Sequence, residues 1–85
     1  ILMVAEGLNV FRIELPESLE GRSLVESEIR GRTGCSVIAI QREVDGRDVH
    51  LVHLEPSEML QKGDELVLIG DIESEEAFIK TFVSS

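Results

Sequence analysis

The residues of this 85-residue chain that most often act as nucleophiles, proton carriers or metal ligands are one cysteine and two histidines. Cys35 has no second cysteine, and no histidine stands at the spacing of a zinc site or a nucleophile–base pair. His50 and His53 are three residues apart on a predicted strand, where side chains alternate between two faces, so one copy cannot hold a metal ion between them. Two copies meeting across an axis could still bring one of them together with its counterpart. We predict no catalytic residue, no metal site within one chain and no enzyme activity.

An acidic cluster follows the glycine that ends the last apolar run, and its members are Asp71, Glu73, Glu75 and Glu76. Carboxylates can hold calcium, but this cluster lacks the alternating Asp pattern and the central Gly of an EF-hand loop. It falls where a following helix would begin, and the helix dipole stabilises acidic side chains there. We interpret the cluster as a solvated helix start.

The charge of the chain argues against nucleic acid as a partner. The net charge is -9, from 17 acidic and 8 basic residues, and the chain has no Trp or Tyr on which bases could stack. One cysteine excludes an internal disulfide and suits a reducing cytoplasm. No apolar run approaches the roughly 20 residues that span a bilayer, so we predict no direct membrane insertion. A start without an initiator Met suggests a fragment of a longer polypeptide.

Hydrophobic patterning predicts four strands. Apolar residues alternate with polar ones over 8–15, whereas residues 35–40 are mostly apolar on both parities, as expected of a central strand covered on both faces. Asp45-Gly46 is a strong hairpin signal and precedes a strand over 49–54. The last predicted strand covers residues 65–69.

Two helices complete the predicted fold. Ser23 stands three residues before Glu26, the spacing of a capping box, and predicts a helix over about 24–30 that Gly31 ends. A second helix should follow the last strand and pack on the sheet through one apolar stripe at four-residue spacing, made of Phe78, Phe82, Ile79 and Val83.

The order β-α-β-β-β-α predicts a small α+β domain with a mixed four-stranded sheet and two helices. We assign residues 1–7 to the end of a preceding element or a linker, and residues 8–85 to the domain. A sheet this small leaves free edges and one apolar face to cover, so we predict a homodimer with a two-fold axis.

Four segments carry a resemblance to a known family: Phe11–Ile13, Leu19–Leu24, Gly34–Arg42 and Leu60–Gly70. They occur in the family's order and extend over nearly the whole chain, from about residue 8 to residue 82. The chain resembles the C-terminal domain of regulators of potassium conductance, the RCK-C or TrkA-C domain.

The resemblance implies a cytoplasmic, ligand-sensing regulatory domain at the inner face of the cell membrane. It would belong to a potassium channel, a potassium transporter or another cation transport protein, and would usually follow a nucleotide-binding Rossmann domain. In this family the domain pairs with its copy. Some members bind cyclic di-AMP in the cleft between the two copies, and others respond to a divalent cation.

For a cyclic dinucleotide, the resemblance places the contacts at the end of the second predicted strand and in the third. Arg42 is then the phosphate partner, and Leu51, Val52 and His53 form the wall of the groove. The chain departs from the family here, because residues 43–48 form an extended connection and Leu54 stands where many members have a proline. Two alternatives stay open: a purely structural dimerisation module, and the same domain on an antiporter or dicarboxylate-type carrier.

Overall fold

The computed structural model describes residues 2–84, which form one antiparallel sheet with helical segments on one face. The strands are β1 (Leu2–Ala5), β2 (Leu8–Glu14), β3 (Ser36–Val44), β4 (Arg47–Leu51) and β5 (Glu65–Gly70). The helical segments are a 3₁₀ turn (Glu17–Leu19), α1 (Leu24–Ser27), α2 (Ile29–Thr33), α3 (Ile72–Phe78) and a π-helical turn (Ile79–Val83).

The sheet order is β1-β2-β5-β3-β4, and each neighbouring pair runs antiparallel. The predicted α+β class is confirmed. The sheet differs from the expected one in having five strands instead of four and in being antiparallel rather than mixed. The sheet is antiparallel because β5 lies between β2 and β3 and runs opposite to both.

The added strand, β1, comes from the segment that we assigned to a preceding element. Residues 2–5 pair with β2 through a tight turn at Gly7, which has a φ of 77°. Position 1 lies outside the described residues. The boundary between residues 7 and 8 as the start of the domain stays a prediction.

The first helical region begins at the predicted capping box. Ser23 Oγ accepts a hydrogen bond from the Glu26 backbone N–H, and the Ser23 backbone N–H donates to the Glu26 carboxylate. The Ser23 hydroxyl also donates to the Glu26 carboxylate at 2.8 Å, and this bond, together with the one from the Ser23 backbone N–H, lowers the pKa of Glu26. The predicted single helix is broken at Glu28, which has a left-handed φ of 51°, and it ends at Gly34 instead of Gly31.

The Asp45-Gly46 hairpin is confirmed. Both residues have positive φ, 51° and 76°, which is the geometry of the type I′ turn that suits the twist of two strands. β4 is shorter than predicted because it ends at Leu51, and the chain then forms a turn at residues 56–57 before a single bridge pairs Met59 with Ser23.

The hydrophobic core lies on the inner face of the sheet, the face that the helices cover. A β-bulge at Ile38 shifts the alternation of β3, so that Val37 and Ile40 both pack toward the core. Ile38 itself is exposed, and the prediction of a strand covered on both faces is wrong at this position. The buried core comprises Phe11, Leu15, Leu19, Ile29, Cys35, Ile40, Leu60, Leu66, Leu68, Phe78 and Phe82.

The last helix begins at Asp71, whose carboxylate accepts the Ser74 backbone N–H at 2.7 Å. This hydrogen bond lowers the pKa of Asp71, as expected of an acidic helix start. Only half of the predicted apolar stripe is buried, because Phe78 and Phe82 pack in the core while Ile79 and Val83 stay exposed.

Candidate functional site

Arg42, the predicted phosphate partner, lies on β3 with its guanidinium almost enclosed by acidic groups. Its Nε and Nη2 donate to the two carboxylate oxygens of Asp64 at 2.9 and 2.8 Å. Nη1 donates to Glu58 Oε2 at 3.1 Å, and Nη2 also donates to the Met59 carbonyl oxygen at 2.9 Å. The hydrogen bonds to Asp64 raise the pKa of Arg42 above its ordinary value, although burial opposes the shift.

The carboxylate of Asp64 is the buried partner in this arrangement. Its side chain is 1% exposed and the Arg42 side chain is 12% exposed. Asp64 also accepts the Gln61 backbone N–H at 2.9 Å, and its backbone carbonyl accepts the Leu15 N–H at 2.8 Å. The Arg42–Asp64 pair therefore joins β3, the segment before β5 and the end of β2. We interpret this pair as a structural contact that stabilises the fold, and we call the Arg42–Asp64 ion pair the lock.

The other three predicted ligand residues lie at the end of β4 and just beyond it. Leu51 is opposite Ile40 and packs against the core, whereas Val52 and His53 are exposed and follow the strand. His53 is therefore outside any strand, and the alternation argument that separated it from His50 does not apply to it. Their role in binding stays a prediction.

A cleft of ≈ 400 Å³ opens next to these residues, between the α1–α2 region and the chain that follows β4. Its rim carries the charged residues Glu28, Arg30 and Glu55, and the half-buried Leu54 contributes apolar surface. Glu28 holds a left-handed φ of 51°, a conformation that costs of order 1 kcal/mol or more in a residue with a side chain. The cleft is lined by Leu24, Val25, Glu28, Ile29, Arg30, Gly31, Cys35, Ser36, Val37, Leu54, Glu55 and Pro56.

None of the four residues predicted from the resemblance lines this cleft; Leu54, Glu55 and Pro56, the next three along the chain, do. The sequence did not predict the cleft, because one of its walls is formed by α1 and α2, and these two helices are separated at Glu28 by a break that the sequence did not indicate. One signal was available, since Leu54 was singled out as a departure from the family.

Cys35 forms part of the cleft floor, but its thiol is fully buried. Burial raises the pKa of Cys35, and the negative charges of Asp71 and Glu75 add to the shift, although a hydrogen bond from Thr33 opposes it. The reactive thiolate is therefore disfavoured. Within residues 2–84 no group of three or more His, Cys, Asp or Glu side chains is arranged to hold a metal ion.

The outer face of the sheet, opposite the helices, carries a second candidate surface. Strand register places Arg12, Val67 and Ala39 side by side on this face. Arg12 donates to Glu65 at 2.9 Å and to Gln41 at 3.2 Å. No helical segment among the described residues covers this face, where Arg12 is exposed and Val67 is buried.

Comparison with known proteins gives one family and a set of solved structures. The family model described as the TrkA-C domain matches residues 10–83. The search of curated proteins found no match. No helix in the described part of the chain is long and apolar enough to cross a membrane.

Three solved structures illustrate the similarity. The GsuK RCK domain is 38% identical with a TM-score of 0.78, and the match covers 94% of this chain and 17% of that one. The GsuK channel bound to NAD is also 38% identical, with a TM-score of 0.79, and the match covers 94% and 14%. The RCK C domain of the potassium transport protein KtrA, in complex with cyclic di-AMP, is 25% identical with a TM-score of 0.74, and the match covers 91% and 86%. The chain thus spans less than a fifth of the GsuK chains.

Proposed function

We propose that this chain, which belongs to the TrkA-C domain family, is a dimerising, ligand-sensing regulatory domain of a potassium or other cation transport protein. It works without catalysis and next to the inner face of the membrane, where a channel or transporter subunit carries it. The upstream connection would be a Rossmann domain. Nucleic acid is not expected as a partner, because the net charge is -9.

The observation that carries this proposal is the amount of apolar surface that one copy leaves open. Exposed residues include Val25 beside the cleft, Ile38 on β3 and Met3 on β1. Exposed apolar side chains of this size are candidates for contact with a second copy or with another part of the transport protein. The similarity to the KtrA domain, whose solved complex contains cyclic di-AMP, supports a nucleotide ligand in particular.

Regulation then requires that the ligand bind two arrangements of the copies with different affinities. The transport protein responds only to that difference, because a ligand with equal affinity for both arrangements shifts nothing. The cleft between the α1–α2 region and the chain after β4 is the pocket that we assign to the ligand. Arg30 on the rim of the cleft supplies a cation for a phosphate group of the ligand. It would thus have the role that the resemblance suggested for Arg42.

Isothermal titration with cyclic di-AMP, calcium and NAD tests the ligand, and we expect cyclic di-AMP alone to bind. Val25→Glu adds a negative charge at the cleft and should weaken binding of this anionic ligand by at least about tenfold, a loss of roughly 1.4 kcal/mol. Val44→Glu is the matched control, since Val44 is also an exposed valine but lies at the hairpin end of β3, outside the cleft. Equal binding by the two variants would place the ligand elsewhere.

The second candidate function is a structural dimerisation module without a ligand. The engagement of Arg42 with Asp64 and Glu58 favours it, because four of its five N–H groups are already used. A native chain that binds none of the three compounds, but is dimeric, would favour this alternative.

A further inference from the structure

One wall of the cleft is a segment without regular secondary structure. Leu54, Glu55 and Pro56 line the cleft, and they follow β4 in a stretch that belongs to no helix or strand. Such a segment has no hydrogen-bond ladder of its own, so its position depends on contacts that other elements provide. The structure provides these contacts at Pro56 and at the residues that follow it closely.

Helix α1, on the other side of the cleft, supplies two of the contacts. The first N–H groups of a helix have no partner within the helix. The Leu24 N–H donates instead to the Glu58 carbonyl oxygen at 2.9 Å. The Val25 N–H donates to the Pro56 carbonyl oxygen, also at 2.9 Å. Leu24 and Val25 line the cleft, so these two bonds set the distance between its walls.

The Glu58 side chain provides a further contact, with β3. Its carboxylate accepts Arg42 Nη1 at 3.1 Å, and the same guanidinium donates to the carbonyl oxygen of Met59 at 2.9 Å. Charge balance does not require Glu58, because the Asp64 carboxylate already neutralises Arg42 through two hydrogen bonds. The Glu58 side chain is 30% exposed, so its ion pair adds little to the stability of the fold. The effect of the contact is positional, since it holds residues 58–59 against β3.

We propose that Glu58 is a positioning residue for the cleft, because its contact with Arg42 fixes the segment that forms one wall. Glu58 itself does not line the cleft. The inference rests on the proposed function, in which the cleft binds the ligand, and it gives Arg42 an indirect role in binding, through the wall. A wall that is not held must be ordered when the ligand binds, and that ordering lowers the affinity.

Two neutral substitutions of Glu58 separate position from charge. Glu58→Gln keeps an oxygen that can accept from Arg42, whereas Glu58→Ala removes it, and both remove one negative charge. The loss of a negative charge by itself should favour an anionic ligand, because the chain has a net charge of -9. We expect Glu58→Ala to bind cyclic di-AMP about fivefold more weakly than the native chain, and Glu58→Gln to bind it at least as tightly.

Glu43→Ala is the control for charge, since Glu43 is an exposed acidic residue on β3 that lies outside the cleft. It should bind cyclic di-AMP no more weakly than the native chain does. Isothermal titration measures the affinities, and circular dichroism establishes that the three variants fold.

Hydrogen exchange reports on the wall without a ligand. In Glu58→Ala the Leu24 and Val25 amides should exchange faster than in the native chain, and by a larger factor than the amides of β5 at the centre of the sheet. A general loss of stability would instead accelerate both sets of amides alike. Glu58→Gln should leave Leu24 and Val25 as protected as they are in the native chain.

The possible results separate this inference from the proposed function. Native binding that Glu58→Ala leaves unchanged, or that both substitutions weaken equally, would overturn the role of Glu58 and leave the proposed ligand standing. A native chain that does not bind cyclic di-AMP would overturn the proposed ligand. The amides then decide the role of Glu58, which fails if Leu24 and Val25 exchange in Glu58→Ala as they do in the native chain.

Discussion

Replacing Asp64 with asparagine should lower the free energy of unfolding by about 3 to 5 kcal/mol, because it leaves the Arg42 guanidinium without its buried counter-charge. The stability of a domain of 85 residues is only about 5 to 10 kcal/mol, so this loss is a large part of the total. Urea unfolding followed by circular dichroism measures the change. The variant should also lose protection against hydrogen exchange at Leu15, whose N–H is bonded to the Asp64 carbonyl.

Glu65→Gln is the matched control for the lock. Glu65 pairs with Arg12 at 2.9 Å, close to the 2.8 Å of the Arg42–Asp64 contact, but the two side chains are 39% and 56% exposed. An exposed pair of this kind contributes at most about 1 kcal/mol. Equal losses of unfolding free energy in Asp64→Asn and Glu65→Gln would contradict the interpretation that the Arg42–Asp64 pair stabilises the fold more than an exposed ion pair does. Arg42→Met combined with Asp64→Leu should recover part of the stability, because the buried carboxylate and its guanidinium are removed together. The recovery stays incomplete because Glu58 and the Gln61 N–H then lose their partners.

Phe78→Ala should lower the free energy of unfolding by about 3 to 5 kcal/mol, since it removes a fully buried ring from the contact between α3 and the sheet. The ring of Phe78 packs against that of Phe82 with centroids 5.1 Å apart, and Arg32 lies 4.9 Å from the centroid of the second ring. The truncation therefore leaves a cavity and removes a ring contact.

Val83→Ala is the comparison for Phe78, because Val83 lies in the same helical region but is exposed. Its loss should stay below about 1 kcal/mol. Urea unfolding of both variants measures the difference. A Phe78→Ala protein as stable as Val83→Ala would mean that the last helix does not depend on the core contact described above.

The parts of the fold that the sequence predicted well depend on neighbouring residues. The Asp45-Gly46 turn requires positive φ at both positions, and few residue pairs provide it. The Ser23 capping box and the acidic start of α3 are likewise set within one helical turn. Such signals stand in a short stretch of sequence and need no knowledge of the rest of the chain.

The parts that the sequence could not predict depend on contacts between distant positions. Arg42 and Asp64 are 22 residues apart, and nothing near either residue indicates that they meet. The sequence around Asp64 also does not indicate that its carboxylate is buried. The bulge at Ile38 and the pairing of β1 are also long-range features.

The candidate site was also predicted only in part. The resemblance pointed to Arg42 on β3 and to residues 51–53 at the end of β4, and the cleft is lined by the next residues along the chain, 54–56. Asp64 engages the Arg42 guanidinium and Leu51 packs against the core, so neither side chain lines the cleft, and the role of both in binding stays a prediction. Val52 and His53 are exposed, and a second copy or a ligand can reach them.

The central claim is that this domain acts as a pair of copies. Sedimentation equilibrium of the native chain across a hundredfold range of concentration tests it most directly. We expect twice the mass of one chain at the higher concentrations, with dissociation only on dilution, and a shift of that equilibrium when cyclic di-AMP is added. A mass of one chain throughout, with or without the nucleotide, would contradict the account.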